Sequence, residues 1–131
     1  KFFNYIMDSG KKGVAEKIFY GAMDIIQSKT KTDGIKIFKK GIENTSPSVE
    51  VKSRRIGGAT YQVPIEVPRK RAFYLAALWI IKASNSLSGK PMAEKLASEL
   101  IAAANGDGNA IKKKEDTHRM ADANKAFAHF R

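Results

Sequence analysis

The 131 residues predict a mainly α fold: six helices around one core, with a two-stranded β-hairpin protruding between the third and fourth. Apolar residues recur at spacings of three and four along most of the chain, the mark of amphipathic helices. One stretch breaks that pattern. From Val49 to Val67 two β-rich runs flank Gly57-Gly58, and paired glycines supply the positive φ angles of a tight hairpin turn. With 43% hydrophobic content, a chain of this length can bury one modest core. A single domain over residues 1–131 is therefore expected, with its hairpin arm at about 49–67.

The elements follow in order. Phe2, Phe3, Ile6 and Met7 close a first helix at Ser9-Gly10. Val14, Ile18, Ala22, Ile25 and Ile26 mark a second, which ends in the polar run Ser28 to Asp33. A short third helix carries Ile35, Phe38 and Ile42 and stops before Ser46-Pro47. After the hairpin, Pro68 suits the first turn of a fourth helix with Leu75, Leu78, Trp79 and Ile81 facing inward. Ser86 to Gly89 breaks it. Pro91 opens a fifth helix through Met92, Leu96, Leu100 and Ile101, ending at Asn105-Gly106-Asp107-Gly108. The last helix is expected from about Glu115, with Met120, Ala123, Phe127 and Phe130 on its apolar stripe. Glu115 and Asp116 in its first turn would complement the helix dipole. The chain opens at Lys1 inside an amphipathic pattern, without an initiator Met or a cap, which predicts residues ahead of it.

The hairpin admits two registers. A two-residue Gly57-Gly58 loop pairs Val51 with Pro64 and splits the apolar residues between faces. A three-residue loop, Gly57-Gly58-Ala59, aligns Val49, Val51, Val63, Ile65 and Val67 on one face and leaves Lys52, Arg54 and Gln62 on the other. A one-residue slip flips every side chain, so a single buried face favours the three-residue loop. In either register the distal half is polar and basic, as in an arm projecting from a helical body.

Charge narrows the function. Lys and Arg total 24 against 13 Asp and Glu, a net charge of +11. Such an excess makes a polyanion the leading partner, because each phosphate neutralised releases condensed counterions. Between Val49 and Arg71 the cations Lys52, Arg54, Arg55, Arg69, Lys70 and Arg71 face only Glu50 and Glu66. A ribbon tipped with guanidinium groups suits a nucleic-acid groove. A solvated edge hairpin that uses charge against aggregation is the plainer alternative. Lys11 and Lys12 precede a helix start, and Lys112, Lys113 and Lys114 precede the last helix, where cations oppose the dipole and an external anion would offset the cost. Surface solubility explains Lys11 and Lys12 equally simply and is the lesser alternative for the Lys112 to Lys114 run. Trp79, Tyr74 and Phe127 fall in apolar stripes and are assigned to the core. Tyr61, on the ribbon, is the aromatic placed to meet a base.

Chemistry is sparse. No cysteine is present, which excludes disulfides, thiolate metal sites and Cys nucleophiles and fits a reducing compartment. His118 and His129, eleven apart on the expected last helix, would stand about 16 Å apart and cannot share a metal. Glu43, Glu94 and Glu99, with lysines nearby, read as a solvated face. No catalytic residue, metal or cofactor is expected. No apolar run approaches the roughly 20 residues needed to span a bilayer, and no signal peptide is visible. A basic amphipathic membrane binder is a weak third reading, because the helices carry core-like apolar stripes and no dedicated basic face. No membrane partner is therefore expected.

Three segments carry a resemblance. MDSGKKGVAEKIFY, ENTSPSVEVKSRRIGGATYQVPIEVP and AIKKKEDTHRMADANKAFAHFR closely resemble the bacterial-type small-subunit ribosomal protein seven family, with the elements in family order from Lys1 to Arg131. The resemblance implies a six-helix domain with a β-ribbon between helices three and four, and a primary binder of small-subunit ribosomal RNA that nucleates assembly of the subunit head. It implies rRNA-facing groups at Lys11, Lys12, Lys52, Arg54, Arg55, Arg69, Lys70, Arg71, Lys112, Lys113 and Lys114. It places Gly57, Gly58, Tyr61 and Arg119 toward exit-site transfer RNA and messenger. Neighbouring small-subunit proteins are the expected protein partners, without homo-oligomers, in the cytoplasmic ribosome or an organellar one. The family's basic N-terminal tail, and the residues it often carries past Arg131, have no counterpart here. The alternative from another class is an architectural DNA-binding protein with a minor-groove ribbon arm; such proteins insert an apolar wedge at the tip, whereas this tip offers Gly-Gly and a single Ile56.

Overall fold

Five α-helices, a two-stranded ribbon and a closing 3-10 turn make up residues 12–130, the part of the chain described by the structure, a computed structural model. The first expected helix, Phe2 to Met7, and Lys11 lie outside the described residues. The order is α1 (Lys12–Thr30), α2 (Gly34–Thr45), β1 (Val49–Ile56), β2 (Ala59–Glu66), α3 (Arg69–Ser86), α4 (Met92–Ala104), α5 (Asn109–Ala123) and a 3-10 turn (Lys125–Phe130). The ribbon thus falls between the helices read from sequence as third and fourth.

Each helix buries a stripe fixed by its sequence. On α1 the buried set is Ala15, Phe19, Ala22, Met23 and Ile26, spaced by three and four. That stripe is rotated by one position from the expected one, and Val14 stands 52% exposed. The helix ends as Thr30 returns its hydroxyl to the Ile26 carbonyl at 2.8 Å and Lys31 takes a positive φ of 59°. Asp33 then caps α2 by accepting from the Ile35 N–H at 3.2 Å. Helix α3 is the centre of the core. Leu75, Ala76, Ala77, Trp79, Ile80, Ile81, Ala83 and Ser84 are all buried along it, because α2, α4 and α5 all pack against it. Its one buried hydroxyl, on Ser84, is satisfied by the Ile80 carbonyl at 2.7 Å. Leu96 and Leu100 of α4 and Ile26 of α1, all fully buried, complete the interior. Truncating one of these to Ala costs about 2–5 kcal/mol, a large share of a small domain's stability.

Three sequence expectations are corrected here. The turn is the two-residue one: Val51 pairs with Pro64, Ile56 with Ala59, and Gly57 and Gly58 hold φ of 58° and 85°. The three-residue loop assumed one buried face. At the ribbon base both faces are covered: Glu50, 9% exposed, and Val63, fully buried, lie on one, and buried Pro64 lies on the other. No alignment of apolar residues is then required, and the tightest turn prevails. The last helix starts at Asn109, six residues earlier than expected, so Glu115 and Asp116 leave its first turn, which holds no acid. It stops at Ala123, which moves Phe127, Phe130 and His129 onto the 3-10 turn and separates His129 from His118.

The early start of α5 has a specific cause. Glu99 of α4 is buried, 5% exposed, and accepts from the Ala110 N–H at 3.3 Å, so a neighbouring helix supplies the cap. Gly108 before it has φ of 96°, and a Cβ there would lie 2.5 Å from the Glu99 carboxylate. Glu99 is therefore no part of a solvated face. Burial raises its pKa, and the N–H groups of Ala110 and Asn109 oppose that rise.

Candidate nucleic-acid interface

Residues 52–60, the distal ribbon, are exposed without exception. Directly paired residues share a face, so Lys52 and Arg54 lie with Ile56, Ala59 and Tyr61, while Arg55 lies with Ser53, Thr60 and Gln62. Gln62 thus leaves the face expected for it and donates to the Ser53 hydroxyl at 2.9 Å. Arg54 and Arg55 are carried on opposite faces near the Gly57-Gly58 turn. Long exposed guanidinium groups on a two-faced ribbon can reach phosphates on either wall of a groove.

The ribbon is anchored to α3 by a forked pair. Arg71 Nε donates to Glu50 Oε2 at 3.1 Å and Nη2 to Oε1 at 3.2 Å. The Glu50 hydrogen bond raises the Arg71 pKa against the opposing effect of burial. The same guanidinium sits 5.7 Å from the Tyr74 ring centroid. Arg71 is therefore bound up in positioning the ribbon, and Tyr74, 37% exposed, serves this contact instead of the core position expected for it.

The other predicted cations are mostly unencumbered. The two ion pairs among the described residues are Arg71–Glu50 and Arg119–Asp116. Lys52, Arg54, Arg55, Arg69, Lys70, Lys112 and Lys113 are exposed and belong to neither. Arg69, Lys70 and Arg71 fill the first turn of α3, which holds no acid. The dipole argument made for the lysine run thus applies to α3: cations crowd a helix start whose N–H groups favour an anion. Lys112 closes the first turn of α5, and Lys113 and Lys114 fall in the second. Lys114 is structural as well. Its ammonium donates to the Asn44 carbonyl at 2.8 Å, while the Asn44 amide donates to the Ala103 and Ala104 carbonyls at 3.0 and 3.1 Å. This knot joins the ends of α2 and α4 to α5 and satisfies carbonyls a helix end leaves open.

Lys12 is described only as the first residue of α1. Arg119 pairs with Asp116 at 2.7 Å and keeps 73% of its side chain exposed, so the pair is weak and the guanidinium available. Tyr61 does not stand free: its ring lies 5.1 Å from that of Phe127 and 4.9 Å from that of Phe130. One cation escaped notice in the sequence. Lys82 and Lys113 flank a groove of about 330 Å³ between α3 and α5, with Trp79, Ala83 and Asn109 in its walls. A lone lysine among apolar helix positions gives no signal until α5 is laid beside it. Among the described residues no three His, Cys, Asp or Glu side chains gather to hold a metal, and no helix is long and apolar enough to cross a membrane.

Comparison with known proteins identifies the family. The family model for ribosomal protein S7p/S5e matches residues 1–125. The small ribosomal subunit protein uS7 of Gemmatimonas aurantiaca is 60% identical over 131 residues, all of this chain and 84% of the relative. Its counterparts from Thermotoga maritima and Marinobacter nauticus are 58% and 56% identical over the same share. The chain belongs to the ribosomal protein S7p/S5e family, whose members are structural proteins and not enzymes.

Proposed function

We propose that this protein is a structural component of the small subunit of the cytoplasmic ribosome, and that it binds ribosomal RNA directly. The observation that carries the RNA reading is the exposed ribbon, with Lys52, Arg54 and Arg55 outside any ion pair. The starts of α3 and α5 add the exposed cations Arg69, Lys70, Lys112 and Lys113. Such contacts fix position on the phosphate backbone, and RNA shape supplies most of the specificity, since the deep major groove of A-form RNA admits no side chains. Lys11 and Lys12 belong to the proposed rRNA set with Lys52, Arg54, Arg55, Arg69, Lys70, Lys112, Lys113 and Lys114; Arg71 contributes through the ribbon's anchor.

On this reading the protein binds early and nucleates the subunit head, as a single copy among neighbouring ribosomal proteins. The Gly57-Gly58 tip and Arg119 then face exit-site transfer RNA and messenger. Tyr61 supports that face by holding the ribbon. A DNA-bending role is disfavoured by the tip, where Ile56 is 38% exposed beside two glycines and forms no wedge. Sedimentation of the protein with small subunits, and preference for small-subunit rRNA over duplex DNA of equal charge, test the reading. Equal binding to both would favour the DNA alternative.

A further inference from the structure

The chain beyond α5 turns back along the ribbon. Phe127 and Phe130 stack nearly parallel, 9° apart with centroids 6.1 Å apart, and both rings meet Tyr61 of β2. Nearer the body the Ser48 N–H donates to His118 Nε2 at 3.0 Å. Between these contacts lies a cavity of about 430 Å³ walled by Val49 and Pro64 of the ribbon, His118 and Asp122 of α5, and Lys125 and Ala128 of the turn. The ribbon thus touches the C-terminal segment at two points, one polar and one aromatic, with an open groove between them.

We propose that residues 118–130 form a latch that sets the angle of the ribbon on the helical body, with His118 as the hook at its base and Phe127 and Phe130 as the grip on Tyr61. The proposal rests on the ribbon being the RNA arm and adds what holds that arm in its pose. Close aromatic pairs attract beyond what their burial alone supplies, while an isolated two-stranded ribbon has little stiffness of its own. The hook works only when the imidazole is neutral. Nε2 must accept, so the proton resides on Nδ1, and an imidazolium has no acceptor left.

Several charges surround that ring. Lys114, Glu115 and Asp122 lie about one turn away on α5, Lys125 lies on the 3-10 turn, and Glu66 shares the ribbon face of Val49. Burial first and Lys114 second hold the His118 pKa below its usual value. The latch is therefore fully closed above the ordinary imidazole range and opens as pH falls through the lowered pKa of the folded state.

The absence of cysteine makes the test direct. Spin labels on Thr60→Cys at the ribbon tip and Ser98→Cys on α4 report the ribbon angle in the full chain without RNA. A single narrow distance is expected at about pH 7.5, lost on titration toward about pH 4.5. His118→Ala should lose it at both values, and His118→Gln, which keeps an acceptor, should retain it at both. Phe127→Ala with Phe130→Ala should lose it with helix content unchanged. A distance unmoved by His118→Ala and by the Phe pair would overturn the latch. So would a pH response that persists in His118→Gln. Failure of the parent protein to bind rRNA would instead refute the RNA reading and leave these distances as they are.

Discussion

Glu99 shows most sharply how one side chain sets a local structure. It sits buried among apolar neighbours because its carboxylate caps α5 from α4. Glu99→Ala should cost about 1–2 kcal/mol, the usual range for a lost cap. Glu99→Gln keeps an acceptor and removes a desolvated charge, so stability near neutral pH should hold or rise. The sign of the pH effect follows from the raised pKa: the folded state holds the proton more tightly, so the unfavourable contribution exists above that pKa and fades toward the ordinary value. Urea melts of wild type and Glu99→Gln should therefore differ most at about pH 7 and converge at about pH 4, below the ordinary carboxylate value. The lysine run divides in the same way. Lys112→Gln with Lys113→Gln should weaken rRNA binding while stability stays within about 0.5 kcal/mol. Adding Lys114→Gln should cost about 1 kcal/mol more, because its bond to Asn44 is lost. Nothing in sequence distinguishes Lys114 from Lys113, or Glu99 from Glu94; only contacts 11 and 70 positions away do so.

At the scale of elements, helices were legible where they bury a stripe and less so where a neighbour decides their ends. Helix α4 and its flanking Pro91 and Asn105 were read directly from periodicity and breakers. The start of α5 was not, since its cap lies on another helix. The ribbon's existence followed from Gly57-Gly58, but its register did not, because both faces of its base are covered and the one-face rule failed. The same geometry makes the tip separable. Residues 52–60 are exposed, so deleting Ile56 through Thr60 and closing with a short turn should cost roughly 1 kcal/mol or less. Such a protein should still enter small subunits, through the helix starts and the ribbon base, and the defect should appear in transfer RNA handling at the exit site. Circular dichroism melting, subunit incorporation and a tRNA-release assay check each part. Global unfolding of the deletion variant would show that the tip belongs to the core after all.

The whole molecule combines an apolar helical core with a net charge of +11. Only two ion pairs occur among the described residues, so most of their cations, including Lys52, Arg54, Arg55, Arg69, Lys70, Lys112 and Lys113, are left without an internal counter-charge. Composition made the polyanion partner legible; it did not show that Arg71 is bound to Glu50, nor that Lys82 joins Lys113 across a groove. If unpaired cations supply the affinity, each phosphate contact releases counterions, and the dependence on salt counts those contacts. The most direct test is the affinity for small-subunit rRNA measured across a salt series, for wild type and for Arg54→Ala with Arg55→Ala. Phosphate neutralisation predicts a steep linear fall of log K with log salt, shallower by about one to two units in the double variant. An affinity that holds constant from low to high salt, in either protein, would contradict it.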